Sequence, residues 1–317
     1  VRATGGDSPI IVLVNQIDVN PGFGFENERE LQLEFPQIKH FIKASCKTEE
    51  NLDLLKNKLA ELIPTAELFK TEIDERWIRL KEKLQIGAKV ENFLSETRFL
   101  KICREEGLTK KQDQENAINF LHDLGLVFHF DTTNLSEYYV LDPYWISYGV
   151  YQILTSNIVS QLKGRVPMNK LETIVNKEDD KQNIYVPKDF RRIEYSTNER
   201  RFLVDILREF KLCFYTDISH SSFIIPDLLD TKEPEEFTSP IRSSEEVVRL
   251  VYQYEYMPKS VLPNIMVQLH PLISHMWRTG FVIEYEDLQA LITSYANEIT
   301  VIASGEFKRR QDFMVII

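Results

Sequence analysis

The sequence predicts an α+β protein of several domains: an α/β piece, a duplicated body of helices and hairpins, and an α+β piece with a mostly antiparallel sheet. Three observations carry this reading. Strand and helix patterns alternate over residues 1–66. The succession of helix end, apolar run, polar tip, second apolar run and new helix start over Asp123–Ile146 returns in degenerate form over Leu212–Leu229. Beyond a polar stretch, short apolar runs at Gly280–Tyr285, Leu288–Tyr295 and Ile299–Ala303 follow one another as neighbouring strands would.

The elements read in order as follows. Pro9–Val14 is a continuous β-branched run, as expected for a strand covered on both faces. A loop with Gly22 and Gly24 leads to a helix over Glu26–Phe35, a strand over Ile38–Ala44, and an amphipathic helix over Glu49–Ile63 with Leu52, Leu55, Leu59 and Leu62 on one stripe, ended by Pro64. A charged helix is expected over Phe69–Leu84, and Ser95 is the expected N-cap of a helix over Glu96–Glu106. Gln112–Leu124 is the next helix, followed by a hairpin of Leu126–Phe130 with Tyr138–Leu141. The second copy aligns Leu207, Phe210, Leu212, Phe214 and Asp217 with Leu121, Leu124, Leu126, Phe128 and Asp131, and returns along Phe223–Ile225. Helices followed by a two-stranded wing describe a winged-helix-like unit, here in tandem. Lys232–Glu246, with Pro234, Pro240 and five glutamates, reads as a linker. The last segment then gives a strand over Val247–Tyr254, a helix over Leu262–Ser274, the three strands above and a helix starting at Phe307. The boundaries are 1–66, 67–232 and 246–317.

Composition narrows the function. At 317 residues with 43% hydrophobic positions, the chain has ample core for two or three domains. Its 38 Lys and Arg against 49 Asp and Glu leave a net charge of −11, a poor surface for nucleic acid or anionic membrane. No apolar stretch reaches the ~20 residues of a membrane helix, and no signal segment opens the chain, so cytoplasmic residence is expected. Cys46, Cys103 and Cys213 are few, scattered and set in apolar runs, which fits buried structural thiols in a reducing compartment. Val1 leads almost directly into a strand and Phe313–Ile317 ends within an apolar run, so the chain reads as part of a longer polypeptide.

Chemistry concentrates at two loops. Asn15-Gln16-Ile17-Asp18 follows the first strand at its carboxyl end, where open α/β sheets bind ligands. An Asn-x-x-Asp there suits guanine, because the carboxylate accepts from N1–H and the exocyclic amine together, a pattern adenine does not return. The same residues alone would also suit a turn cap. Ala44-Ser45-Cys46-Lys47 lies at the equivalent end of the next strand, where its backbone N–H groups can reach guanine O6 and the Lys47 stem can cover the base. No Gly-x4-Gly-Lys-Ser/Thr loop is present to hold β- and γ-phosphates, so this chain alone is not expected to hydrolyse GTP, and Mg²⁺ is expected only with upstream phosphate-binding residues. The histidine pairs His270/His275 and His122/His129 lack metal-ligand spacing and read as packing residues, as do Trp77, Trp145 and Trp277. Lys308-Arg309-Arg310 reads as a helix face or a partner contact.

On these residues the chain resembles a known family. Residues 1–66 resemble the last third of a Ras-type GTPase domain, with Asn15 and Asp18 at its fourth guanine motif and Ser45-Cys46-Lys47 at its fifth; Gln16 replaces the usual Lys and Cys46 the usual Ala. Residues 67–317 resemble the COR domain that follows the Roc GTPase domain in Roco proteins. The stretches that carry this are Leu124–Phe130, Tyr139–Trp145, Pro258–Pro271 and Met276–Gly280. The resemblance implies that Roc binds and hydrolyses GTP, with GTP or GDP held by the intact protein. It further implies that COR lies against Roc and forms a homodimer through its C-terminal half in a signalling assembly, and that Tyr139 faces the GTPase core. A cross-strand aromatic in the hairpin is the other reading of Tyr139. A winged-helix DNA-binding regulator is the alternative function, although Gln112–Leu124 carries Gln, Asp and Glu where a recognition helix would be basic.

Overall fold

The computed structural model describes residues 8–66, 72–88, 92–129, 138–177, 193–285 and 288–305. The chain divides into two compact units, Val1–Ile78 and Arg79–Ile317.

In the first unit, β1 (Ile10–Val14) pairs in parallel with β2 (Ile38–Lys43), joined through α1 (Glu28–Glu34) and followed by α2 (Leu52–Leu62). Parallel pairing follows from the crossover helix, which returns the chain to the same end of the sheet. The leucine stripe of α2 is not covered by the described residues: the helix has no buried residue, and Leu59 is 42% exposed. The expected helix over Phe69–Leu84 is displaced. Residues 67–71 lie outside the described residues, 72–74 are not helical, and α3 runs over Glu75–Ala88. The cause is local, because Asp74 accepts the Arg76 N–H at 2.9 Å and also binds its guanidinium. Trp77 is half-buried rather than core.

The second unit holds the duplicated body. β3 (Phe93–Ser95), α4 (Glu96–Glu105), α5 (Lys111–Asp123) and β4 (Tyr138–Val140) form one copy, and Phe128 bridges to Val140 on the far side of β4 from β3. After α6 (Pro143–Thr155) and α7 (Asn157–Gln161), β5 (Arg165–Pro167), α8 (Thr197–Glu209), β6 (Phe214–Tyr215) and β7 (Ser222–Ile224) form the other. Register repeats with topology: Val140 lies between Phe93 and Phe128, and Ile224 between Arg165 and Phe214.

The helix ends repeat as well. After α5, Gly125 N–H donates to His122 O and Leu126 N–H to Leu121 O; after α8, Lys211 donates to Arg208 O and Leu212 to Leu207 O. This two-bond cap needs a left-handed residue, which is Gly125 (φ 65°) in one copy and Lys211 (φ 56°) in the other.

Several expectations are corrected here. The first hairpin is a single bridge rather than a strand over Leu126–Phe130, of which Phe130, with Asp131, lies outside the described residues; β4 takes its main partner from β3. Ser95 stands at the N-cap of α4 without a side-chain cap bond, since it is also the extended last residue of β3, paired with Tyr138. Side-chain caps form instead at Asp142, Ser156 and Ser196. The expected linker contains a helix, α9 (Glu235–Ser243), because Thr238 and Ile241 face inward and Ile241 joins Trp277, Val282 and Leu291 in a core cluster. The expected helix over Leu262–Ser274 is shorter, α10 (Val261–Leu269). Pro271 bars its continuation, and the chain makes a 3-10 turn into β9 (Ile273–Trp277).

The last segment is a five-stranded antiparallel sheet in the order β8 (Val247–Gln253), β12 (Glu298–Ser304), β11 (Leu288–Tyr295), β10 (Gly280–Tyr285), β9. α10 covers one face through Leu262 and Met266, against Phe281, Ile283, Ala290, Ile292 and Val301. Gly280 lies where a Cβ would stand 2.7 Å from Ile292 O and against the Trp277 ring, which explains why Trp277 and Gly280 occur together at this turn. The helix expected at Phe307 and the Lys308-Arg309-Arg310 cluster lie outside the described residues. Among the described residues no helix is long and apolar enough to cross a membrane.

Candidate functional site

In the first unit, the ends of β1 and β2 bring Asn15, Asp18, Ser45 and Cys46 together. Ala44 N–H donates to Val14 O at 2.8 Å, which continues the strand pairing past β2 and sets the two loops side by side. Asn15 Oδ1 accepts from Gln16 N–H at 2.8 Å and from Cys46 N–H at 3.0 Å, so one side-chain amide shapes its own loop and clamps the next. The Ser45 hydroxyl is fully buried; it donates to Asp18 Oδ1 at 2.6 Å and accepts from Thr48 N–H at 3.1 Å. Asp18, Asn15, Cys46 and Lys47 are exposed. The arrangement is a rigid rim with one carboxylate held from below and open above. Among the described residues, no hydrogen bond reaches Asp18 Oδ2.

Sequence reasoning missed part of this frame. Gln16 adopts φ 65°, a left-handed turn that lets Val19 and Asn20 N–H both reach Gln16 O; a glutamine gives no signal of this. Glu49 and Asn51 are also left-handed, and the Asn51 side chain donates to Lys43 O at 2.9 Å, closing the second loop. The asparagine could have been read, since Asn tolerates this conformation. Cys46 corrects the expectation of three buried thiols, because it is exposed. Cys103 and Cys213 are buried, and burial pushes the Cys103 thiol up to about 12 and that of Cys213 further in the same direction.

Tyr139 lies elsewhere, on β4 of the second unit. It is buried and stacked between Phe99, with ring centroids 4.3 Å apart, and His129, 4.6 Å apart. These three rings contribute to a cavity of about 610 Å³ along α4 and α5, rimmed by Glu96, Arg104, Lys111 and Glu115. At the C-terminal end of α4, Glu106 is bonded by Lys83 at 2.7 Å and Arg79 at 3.1 Å. Its carboxyl is held below the usual range chiefly by the Lys83 hydrogen bond, and the Lys83 amine is raised by the same bond. The histidines stack: His270 on Phe214 at 4.6 Å, His275 on Phe237 at 3.5 Å.

Comparison with known proteins assigns the family. Residues 74–229 match the model described as C-terminal of Roc, COR-A domain, and residues 245–317 that described as C-terminal of Roc, COR-B domain. Among curated proteins, the chain is 22% identical over 301 residues to the probable serine/threonine-protein kinase pats1 of Dictyostelium discoideum, covering 89% of this chain and 9% of that protein. It is 21% identical over 245 residues to Cyclic GMP-binding protein C of the same organism, covering 74% of this chain and again 9% of the relative. The chain therefore spans about a tenth of the length of these relatives. Among solved structures, it resembles the Methanosarcina barkeri Roco2 RocCORdC fragment bound to GDP, with 31% identity, a TM-score of 0.52, and coverage of 72% of this chain and 66% of that one. The two COR matches, the Dictyostelium relatives and the Roco2 neighbour agree: the chain belongs to the Roco family and carries its COR domain, a GTPase-associated module.

Proposed function

We propose that residues 1–66 are the C-terminal part of a Ras-like Roc domain whose loops read guanine. On this reading residues 67–232 form a tandem winged-helix-like COR half, and residues 246–317 a COR half that dimerises and couples nucleotide state to assembly for signalling. The observation that carries the guanine assignment is the double tie between the loops, Ser45 Oγ to Asp18 and Cys46 N–H to Asn15. It holds the Asp18 carboxylate rigid with one oxygen uncommitted, which suits a pair of donors on a base edge. Asn15, Asp18, Ser45, Cys46 and Lys47 would contact the base of GTP or GDP; β- and γ-phosphates and Mg²⁺ would be held upstream. The uncovered leucines of α2 and the two-stranded sheet support this, because such a unit buries too little to stand alone and suits the edge of a larger domain. Tyr139 and its groove are the surface proposed to face the intact GTPase domain. The repeat of strand order around Val140 and Ile224 supports the winged-helix-like reading.

The test is nucleotide competition in the intact polypeptide. GTP is expected to compete at least ~100-fold better than ATP, and Asp18→Asn to reduce that margin by roughly tenfold or more, since a donor amide then opposes a donor edge. Equal competition by ATP in the wild type would overturn the assignment.

A further inference from the structure

Two peptide planes lead from β2 to the buried Ser45, and each is held from both sides. In the first, Ala44 N–H donates to Val14 O at 2.8 Å while Lys43 O accepts from Asn51 Nδ2 at 2.9 Å. In the second, Ala44 O accepts from Ile17 N–H at 3.4 Å while Ser45 N–H donates to Glu50 O at 3.1 Å. Each plane is thus tied on one side to β1 and its loop, and on the other to the turn that enters α2. Three of the four bonds join main chain to main chain, so a substitution short of proline leaves their donors and acceptors in place. The fourth is a side-chain bond, and Asn51 supplies it.

Asn51 stands where its side chain would ordinarily serve the helix. It is the N-cap residue of α2, yet it makes no side-chain cap bond, and it adopts φ 60°, ψ 12° instead of the extended backbone of a capping residue. Its amide turns back to the strand. The helix begins without the bond that an asparagine at this position normally gives it, and the loop gains one. Glu49 is left-handed as well (φ 62°), so this turn holds two non-glycine residues in a region that L side chains rarely adopt. Such strain persists where the surrounding bonds over-determine the backbone, and it gathers at binding sites.

The consequence falls on Asp18. Ser45 Oγ donates to Asp18 Oδ1 at 2.6 Å and accepts from Thr48 N–H at 3.1 Å, so the direction of the carboxylate follows the position of Ser45. A rotation of the Lys43–Ala44 plane moves that hydroxyl, and a bond this short tolerates little displacement.

We propose that Asn51 is a positioning residue for guanine: it fixes the Lys43–Ala44 peptide so that Ser45 holds Asp18 in the orientation that accepts two donors of the base edge. It acts through Ser45 rather than on the base itself. The proposal rests on the guanine reading of these loops and adds the residue that sets their aim.

Asn51→Asp separates aiming from folding. A carboxylate tolerates the left-handed turn and suits the N-terminus of a helix, but it has no N–H to give Lys43 O. In the intact polypeptide, the margin by which GTP outcompetes ATP is expected to fall roughly three- to tenfold, with the thermal midpoint of the nucleotide-free protein unchanged or raised. Asn51→Gly, which keeps the turn and drops the amide, is expected to lose the same margin. In an Asp18→Asn background, Asn51→Asp is expected to change the margin no further, because there is then no carboxylate to aim. A margin that stays at its wild-type value overturns the proposal and leaves the guanine reading standing. So does a margin that falls only in step with the midpoint, or that falls again in the Asp18→Asn background, since Asn51 then acts on the fold at large. Equal competition by GTP and ATP in the wild type overturns the guanine reading itself, and the proposal with it.

Discussion

The two copies of the strand-helix-hairpin unit share a register and differ in what covers each side of their sheets. The outward side repeats: Val140, Phe93 and Phe128 pack against Trp145 and the second copy, while Ile224 and Phe214 pack against Leu262, Met266 and Phe281 of the last segment. Each sheet is thus backed by the next part of the chain. The inward side does not repeat. Phe223, next to Ile224, is fully buried among Leu203, Leu207 and Cys213, whereas Tyr139, next to Val140, stacks on Phe99 and His129 beside an open cavity. The second copy is filled, and the first keeps a polar-rimmed recess.

Truncation should break this comparison most sharply. Phe223→Ala is expected to cost ~3–5 kcal/mol in urea unfolding, because its void is sealed. Tyr139→Ala should cost about 1–3 kcal/mol, since its void opens into the recess, where water enters and the residual cavity term falls away. Equal losses would mean that the recess is closed in solution.

Exchanging the helix caps sharpens it. Lys211→Gly should stabilise the second copy by about 1 kcal/mol, and Gly125→Ala should weaken the first by about the same amount, both read as thermal midpoint shifts. If Lys211→Gly is neutral, its left-handed turn is relaxed in solution.

Acid titration gives the smallest contrast. Glu106 is held below the usual carboxylate range by Lys83, so its contribution to the first copy is complete above the unfolded value of about 4.3 and is lost as pH falls through the lowered folded value. Lys83 is raised, so its share is complete below its unfolded value and disappears only in strong alkali. Glu106→Gln should flatten the acid limb of stability for the first copy; an unchanged limb would show that solvent screens the pair.

How much of this was legible depended on length and on partners. Strands with a clear pattern, such as Gly280–Tyr285 and Leu288–Tyr295, were read to the residue. β3 and β5, three residues each, were invisible because their identity lies in what they pair with rather than in alternation. Lys232–Glu246 looked like a linker because its prolines and glutamates outweigh Phe237 and Ile241, but Ile241 packs on the back of the sheet, and Phe237, one helical turn before it and partly exposed, stacks on His275. At the loop site, Asn15, Asp18, Ser45 and Cys46 were readable by type and position, and the structure brings them together. The left-handed turns at Gln16 and Glu49 that shape those loops were not, because neither residue type favours them.

The shared interior of Phe214, Ile224 and Leu229 with Leu262, Met266 and Phe281 has a practical consequence. The COR-A match ends at residue 229 and the COR-B match begins at residue 245, yet this packing crosses the boundary between them. A gene fragment cut between them would leave each product with half an oily seam bare, so the two should melt as one unit.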